Sequence, residues 1–170
     1  IAEAEQAYSQ LIAGELNKPI GVLLEYLNDT PIQRNLQLSV AKSNVSGRGQ
    51  TNFGVIGAGL FGKALLLPGL QKLPEVCLHT LATNTGANAE HSGSKFRFLH
   101  QSTDSDNLWS NPDIKAVIGL TPHSHHASLV RSALQNQKPL FLEKPLCTTE
   151  EEFSELHRVA ENMENLPILM

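Results

Sequence analysis

The chain has 170 residues, with 13 Lys+Arg against 17 Asp+Glu for a formal net charge of −4, and it is 41% hydrophobic and 18% charged. That is ordinary globular composition, and the length suits about one domain with some chain to spare. The mild acidity lacks the clustered Lys/Arg that nucleic acid requires, and no apolar run approaches the ~18 residues of a membrane span, since Pro68 interrupts the densest one, ALLLPGL.

The start shows neither a basic n-region nor a small-residue cleavage pattern. Cys77 and Cys147 sit among apolar residues, where buried reduced thiols are expected, so the expected setting is cytoplasmic. The chain opens on Ile1 inside an amphipathic pattern and stops at Ile-Leu-Met, which reads as a piece of something longer. Residues 2–14 predict a helix with Ala4, Ala7, Tyr8, Leu11 and Ile12 on one face and Gly14 as its stop. After Pro19, residues 20–26 are strand-like. One helix and one strand cannot bury a core, so residues 1–26 are expected to be the end of another domain that needs a host. Residues 27–51 contain Pro31, Asn44, Ser46, Gly47, Arg48 and Gly49 and read as a linker, although Ile32, Leu36, Leu38 and Val40 allow an extended strand.

From Asn52 the pattern alternates. Strands are expected at 53–56, 76–82, 96–99, 114–120 and 139–142, and helices at 60–73, 87–95 and 124–135. Pro68 should kink or end the first of these helices near Leu67. A last helix starts after Thr148 and Thr149, with Glu150, Glu151 and Glu152 at its positive end and Phe153, Leu156, Val159 and Ala160 as its buried stripe. Strands alternating with helices predict an α/β fold, a doubly wound parallel sheet of the Rossmann type over residues 52–170.

Gly57-Ala58-Gly59-Leu60-Phe61-Gly62 is G-x-G-x-x-G between the first of these strands and its helix. In such a loop Gly57 makes the tight turn, Gly59 admits a pyrophosphate and Gly62 lets helix and strand approach. The N–H groups of Leu60 and Phe61 then face the phosphates, where the helix dipole favours anions. The acid expected about twenty residues further on is missing; Thr83 and Asn84 stand there, and either can hydrogen-bond a ribose hydroxyl. No Arg or Lys lies beside them in sequence, Lys95 and Arg97 being the nearest, so NAD and NADP both remain open as cofactor.

Three stretches in order, FGVIGAGLFG, DIKAVIGLTPHSHH and PLFLEKPL followed by EEEFSELHRVAEN, resemble the nucleotide-binding half of the glucose–fructose oxidoreductase and inositol dehydrogenase family, Gfo/Idh/MocA. The resemblance implies an NAD(P)-dependent oxidoreductase acting on a sugar, polyol or related small hydroxyl compound. It implies that Thr121-Pro122 and His126 lie against the cofactor and that Glu143 binds or orients the nicotinamide ribose. Lys144, often ahead of a cis proline, would bind the substrate hydroxyl or assist proton transfer. Placed at the carboxyl end of an apolar strand, Lys144 can also lower the cost of a developing alkoxide; the alternative is a surface Glu–Lys ion pair of little consequence. AEAEQAYSQLIAGE followed by KPIGVLLEY is similar to the closing helix and strand of a medium-chain, zinc-type alcohol dehydrogenase, which implies a two-enzyme fusion. The family's second domain, which supplies most of the substrate pocket, is absent from these residues, so the fragment alone should bind cofactor without turnover.

His123, Ser124, His125 and His126 invite a metal reading, but no third ligand stands at motif spacing, so no metal is expected. Neither cysteine has an identifiable base partner. Glu151, Glu152, Glu155 and His157 read as a solvated face. Two other readings remain open: a non-catalytic nucleotide-binding module, and an α/β interaction domain whose glycine turn is purely structural. No nucleic-acid or membrane partner is expected, and a homo-oligomer is allowed.

Overall fold

A computed structural model describes residues 4–14, 34–37, 49–161, 163 and 168–169. The strand expected at 20–26 and most of the expected linker lie outside the described residues. The chain divides into two compact units, Ile1–Gln33 and Arg34–Met170.

In the first unit, Ala4–Ala13 forms helix α1. Gly14 ends it with φ +71° and an N–H donated to Leu11 O at 3.2 Å. Tyr8, Leu11 and Ile12, the expected apolar stripe, are exposed.

The second unit is a seven-stranded sheet. Its strands are β1 (Asn35–Gln37), β2 (Thr51–Ile56), β3 (Val76–Ala82), β4 (His100–Ser102), β5 (Ala116–Gly119), β6 (Leu140–Leu142) and β7 (Ile168–Leu169), in the spatial order β1-β4-β3-β2-β5-β6-β7. The short edge strand β1 pairs antiparallel with β4. Every other pairing is parallel, including Phe53 beside Ala116 in β2 and β5. The doubly wound Rossmann-type sheet is therefore what the alternating pattern predicts.

Parallel strands are apolar on both faces because helices cover both. Ile56, Ala82, Val117, Leu140 and Leu142 pack with Leu108 and Trp109 of α4 (Asp106–Ser110), Val130, Ala133 and Leu134 of α5 (His126–Asn136) and Leu156 of α6 (Glu150–Ala160). Their strand neighbours Val55, Leu81 and Ile118 point the other way and pack with Leu67, Phe96 and Phe98. The period-two alternation of strand side chains thus divides one apolar sequence between two cores.

Several expectations are corrected locally. The stretch 96–99 is not a strand: Phe98 N–H returns to Gly93 O, and Arg97 takes φ 57°. These residues close α3 (Gly86–Lys95) as a turn that buries Phe96 and Phe98, and the strand starts at His100 instead. Of the kink or end expected near Leu67, the end does not occur. Gly62–Leu66 widens into a π-helical stretch, with Leu67 N–H donated to Gly62 O, and Leu67–Leu70 (α2) continues as α-helix. A wide turn ahead of a proline accommodates the ring and its missing donor without ending the helix. Phe153 is 52% exposed although it was expected on the buried stripe of α6. Cys147 is half-buried, whereas Cys77 is buried. The acidic face of α6 is also partly engaged: Thr149 and Glu152 form a capping box, and Arg131 forks onto Glu155 at 2.7 and 2.8 Å, tying α5 to α6.

His79 on β3 and His100 on β4 stack with ring centroids 4.7 Å apart. Burial holds both below the ordinary imidazole value of 6.5, and His100 lowers His79 further, while Asp113 opposes the shift on each. The unfolded chain therefore binds protons at these sites at a higher pH than the folded one. Stability is fully present above the ordinary imidazole range and falls as the pH drops through it. Thermal melts at about pH 7.5 and about pH 5 should show a lower midpoint in acid, and His79→Gln should flatten that dependence. An unchanged pH slope in the variant would remove His79 as its source.

Candidate functional site

Because β2, β3, β5 and β6 are parallel, Ile56, Ala82, Gly119 and Leu142 end at one edge of the sheet. The chain leaves β2 towards β3 on one side and reaches β5 on the other. Ligands of open parallel sheets bind in the crevice opened by such a reversal. The turns that follow these four strands carry the residues singled out from the sequence.

In the first turn Gly57 adopts φ +88° and donates its N–H to Ala82 O at 2.8 Å. A Cβ on Gly57 would lie 2.5 Å from Leu120 O, and one on Gly62 would lie 2.7 Å from Leu120 Cδ1. Protein neighbours account for both glycines. Gly59 is different: its nearest neighbour to an added Cβ is Leu120 O at 3.7 Å, an ordinary contact. Nothing inside the protein requires a glycine there. The first helical bond runs from Lys63 N–H to Gly59 O at 3.0 Å, so the amides of Leu60, Phe61 and Gly62 precede it without helical acceptors.

Two clefts of about 360 Å³ each meet at this edge and share Gly59, Leu120, Thr121 and Pro122. One extends past Thr83, Asn84 and Asn88. The other extends past Leu60, Phe61, His123, Glu143 and Lys144. Thr83 is buried and commits its hydroxyl proton to Thr85 O at 2.9 Å, whereas Asn84 stands exposed at the cleft. Thr121 Oγ1 is buried without a hydrogen-bond partner. An orphaned hydroxyl beside an unneeded glycine fits an extended polar ligand, such as a dinucleotide, lying through both clefts.

His126 is 1% exposed. Its Nδ1 lies 2.6 Å from Pro145 O and its Nε2 lies 3.2 Å from Thr121 O. Both ring nitrogens thus face backbone carbonyls, and the imidazole bridges the turn after β5 to the turn after β6. This leaves no nitrogen for a metal, and among the described residues no three His, Cys, Asp or Glu side chains gather around one point. Glu143 and Lys144 are exposed, lie ahead of the cis Lys144–Pro145 peptide, and make no ion pair with each other among the described residues.

Lys63 is absent from the residues picked out in sequence. It reaches from the start of the helix after the glycine turn to α3, where Nζ donates to Asn88 Oδ1 at 2.8 Å. A search for a cation next to Thr83 and Asn84 along the chain misses it, because only the fold brings positions 63 and 88 together.

Residues 51–169 match the Gfo/Idh/MocA family, described as an oxidoreductase family with an NAD-binding Rossmann fold. An inositol 2-dehydrogenase of Acidothermus cellulolyticus is 30% identical over 99 residues, which are 56% of this chain and 28% of that protein. YrbE of Bacillus subtilis, an uncharacterized oxidoreductase, is 26% identical over 60% of this chain and 30% of its own length. Among solved structures, KijD10, a 3-ketoreductase from Actinomadura kijaniata in complex with TDP-benzene and NADP, superposes with a TM-score of 0.58 at 26% identity, covering 66% of this chain and 35% of that one. Scyllo-inositol dehydrogenase from Lactobacillus casei, with a TM-score of 0.63 at 24% identity over 71% of this chain and 36% of its own, shares the fold. The chain spans about a third of the length of these proteins.

Proposed function

The chain belongs to the Gfo/Idh/MocA oxidoreductase family, and we propose that residues 52–170 are the dinucleotide-binding domain of an enzyme that oxidises or reduces a sugar, polyol or related hydroxyl compound. The observation that carries this reading is Gly59, a glycine that no protein neighbour explains. The orphaned hydroxyl of Thr121 supports it. In this reading the amides of Leu60 and Phe61 hold the pyrophosphate of NAD or NADP, and Thr83 and Asn84 face the adenosine ribose. Thr121 and Pro122 flank the nicotinamide, with Glu143 at its ribose. When bound, the nicotinamide supplies or accepts a hydride.

Lys144 makes no ion pair among the described residues, so its ammonium is free to donate to a substrate oxygen. There it stabilises the negative charge that develops as the carbon–oxygen bond order changes. His126 positions this lysine by fixing the carbonyl of Pro145. The substrate class rests on Lys144 and on relatives named as an inositol dehydrogenase and a 3-ketoreductase. Turnover belongs to the whole protein, and the 170 residues alone bind the dinucleotide without completing a reaction. Residues 1–26 resemble the end of an alcohol-dehydrogenase-like domain, a reading supported by the helix at Ala4–Ala13.

Calorimetric titration tests the proposal. NADH or NADPH should bind, and Lys144→Ala should bind it within about threefold while turnover of the whole protein falls by roughly 100-fold or more. Absence of binding to either dinucleotide sinks the reading. Loss of dinucleotide binding in Lys144→Ala moves that lysine from the substrate to the cofactor.

A further inference from the structure

We propose that the cleft beyond β3 is a site for a phosphate monoester, the 2′-phosphate of the adenosine ribose, and that Lys63 selects it, so that the protein prefers NADPH to NADH. This rests on the dinucleotide reading given above and adds to it the choice between the two cofactors. The first observation is the set of side chains at the ribose end of the groove. Thr83, Asn84, Thr85 and Asn88 line it, with no carboxylate among the described lining residues. A carboxylate at the end of the second strand binds the free 2′-hydroxyl and repels a 2′-phosphate. A neutral amide in its place removes that repulsion without itself attracting the anion.

The second observation supplies the attraction. Lys63 is half-buried, and its ammonium sits on the side-chain oxygen of Asn88 at 2.8 Å rather than on a carboxylate. It takes part in no ion pair among the described residues. Asn88 Oδ1 also accepts from Ser92 Oγ at 3.1 Å, which fixes the amide so that its NH2 group stays available as a donor. Around this amide, α3 begins at Gly86 with no acid in its first turn and with Thr85 as its cap. A cation with no balancing carboxylate therefore sits one hydrogen bond behind Asn88, which lines this end of the groove together with the exposed amide of Asn84. A phosphate monoester carries about −1.5 to −2 charges near neutral pH, and a ribose hydroxyl carries none. Only the phosphate makes use of the lysine.

Binding of NADPH, NADH, adenosine 2′,5′-bisphosphate and adenosine 5′-monophosphate, measured by calorimetry on the protein and its variants, decides the matter. NADPH should bind at least about tenfold more tightly than NADH, and the bisphosphate should exceed the monophosphate by a similar factor. Lys63→Ala should weaken NADPH and the bisphosphate about tenfold or more and leave NADH within about twofold, which also reports that the variant is folded. Asn84→Asp should reverse the preference towards NADH. If NADH binds as well as NADPH, or if Lys63→Ala weakens both equally, this proposal fails while the dinucleotide reading stands. If neither dinucleotide binds, both fall together.

Discussion

Gly59→Asp is expected to reduce dinucleotide binding by about 100-fold or more while leaving the fold in place. An added Cβ at this position lies 3.7 Å from its nearest neighbour, Leu120 O, so the protein itself has room for it. In the dinucleotide reading proposed above, the same volume is where the pyrophosphate approaches the amides of Leu60 and Phe61. The aspartate would occupy that volume and set a negative charge against the phosphates. Because the two effects act on the ligand and not on the packing, the thermal midpoint should move little. Titration beside a thermal melt separates the possibilities. Binding equal to that of the parent protein would make the glycine loop structural and would end the dinucleotide reading.

The opposite separation holds for Gly57→Ala, which is expected to cost about 3 kcal/mol or more of folding stability. Two effects add. Gly57 holds φ +88°, a conformation that side-chain-bearing residues rarely adopt. The new methyl would also lie 2.5 Å from Leu120 O and 2.8 Å from Leu120 C, which are backbone atoms of the neighbouring turn and cannot rotate aside. At Gly62 the corresponding contact is with Leu120 Cδ1, the tip of a side chain that can yield. Chemical denaturation of Gly57→Ala and Gly62→Ala should therefore rank the first as much the more damaging. Equal midpoints for the two would show that the turn relaxes more readily than its close contacts imply.

How much of this is legible in the sequence depends on the range over which each feature is determined. The strand at 76–82 and the glycine turn are set by neighbours a few positions apart, and periodicity and motif spacing reveal them. The strand assigned to 96–99 shows where that fails. Phe96 and Phe98 are apolar because they plug the core after α3, not because they alternate along an extended chain. Val55 and Ile56 are indistinguishable as letters, yet they belong to opposite faces of the sheet. At the site, the resemblance singles out Thr121, Glu143 and Lys144 from motif order, but it does not reach Lys63. Its partner Asn88 is 25 positions away, and only the fold brings the stretch Gly62–Leu66 within reach of α3. His126 is visible as a motif residue, but its two carbonyl partners are not, because backbone oxygens carry no sequence signal.

That imidazole has a consequence for anyone recombining such domains. The turn after β5 and the turn after β6 look like separate cassettes, each on its own strand and each open to exchange for a relative's loop. Through His126 they share one fastener, with Thr121 O on one side of the ring and Pro145 O on the other. A chimaera that imports either turn without a ring matched to both carbonyls inherits the right letters in a loosened frame. The exchangeable unit is the whole block from Thr121 to Pro145, including the helix between them.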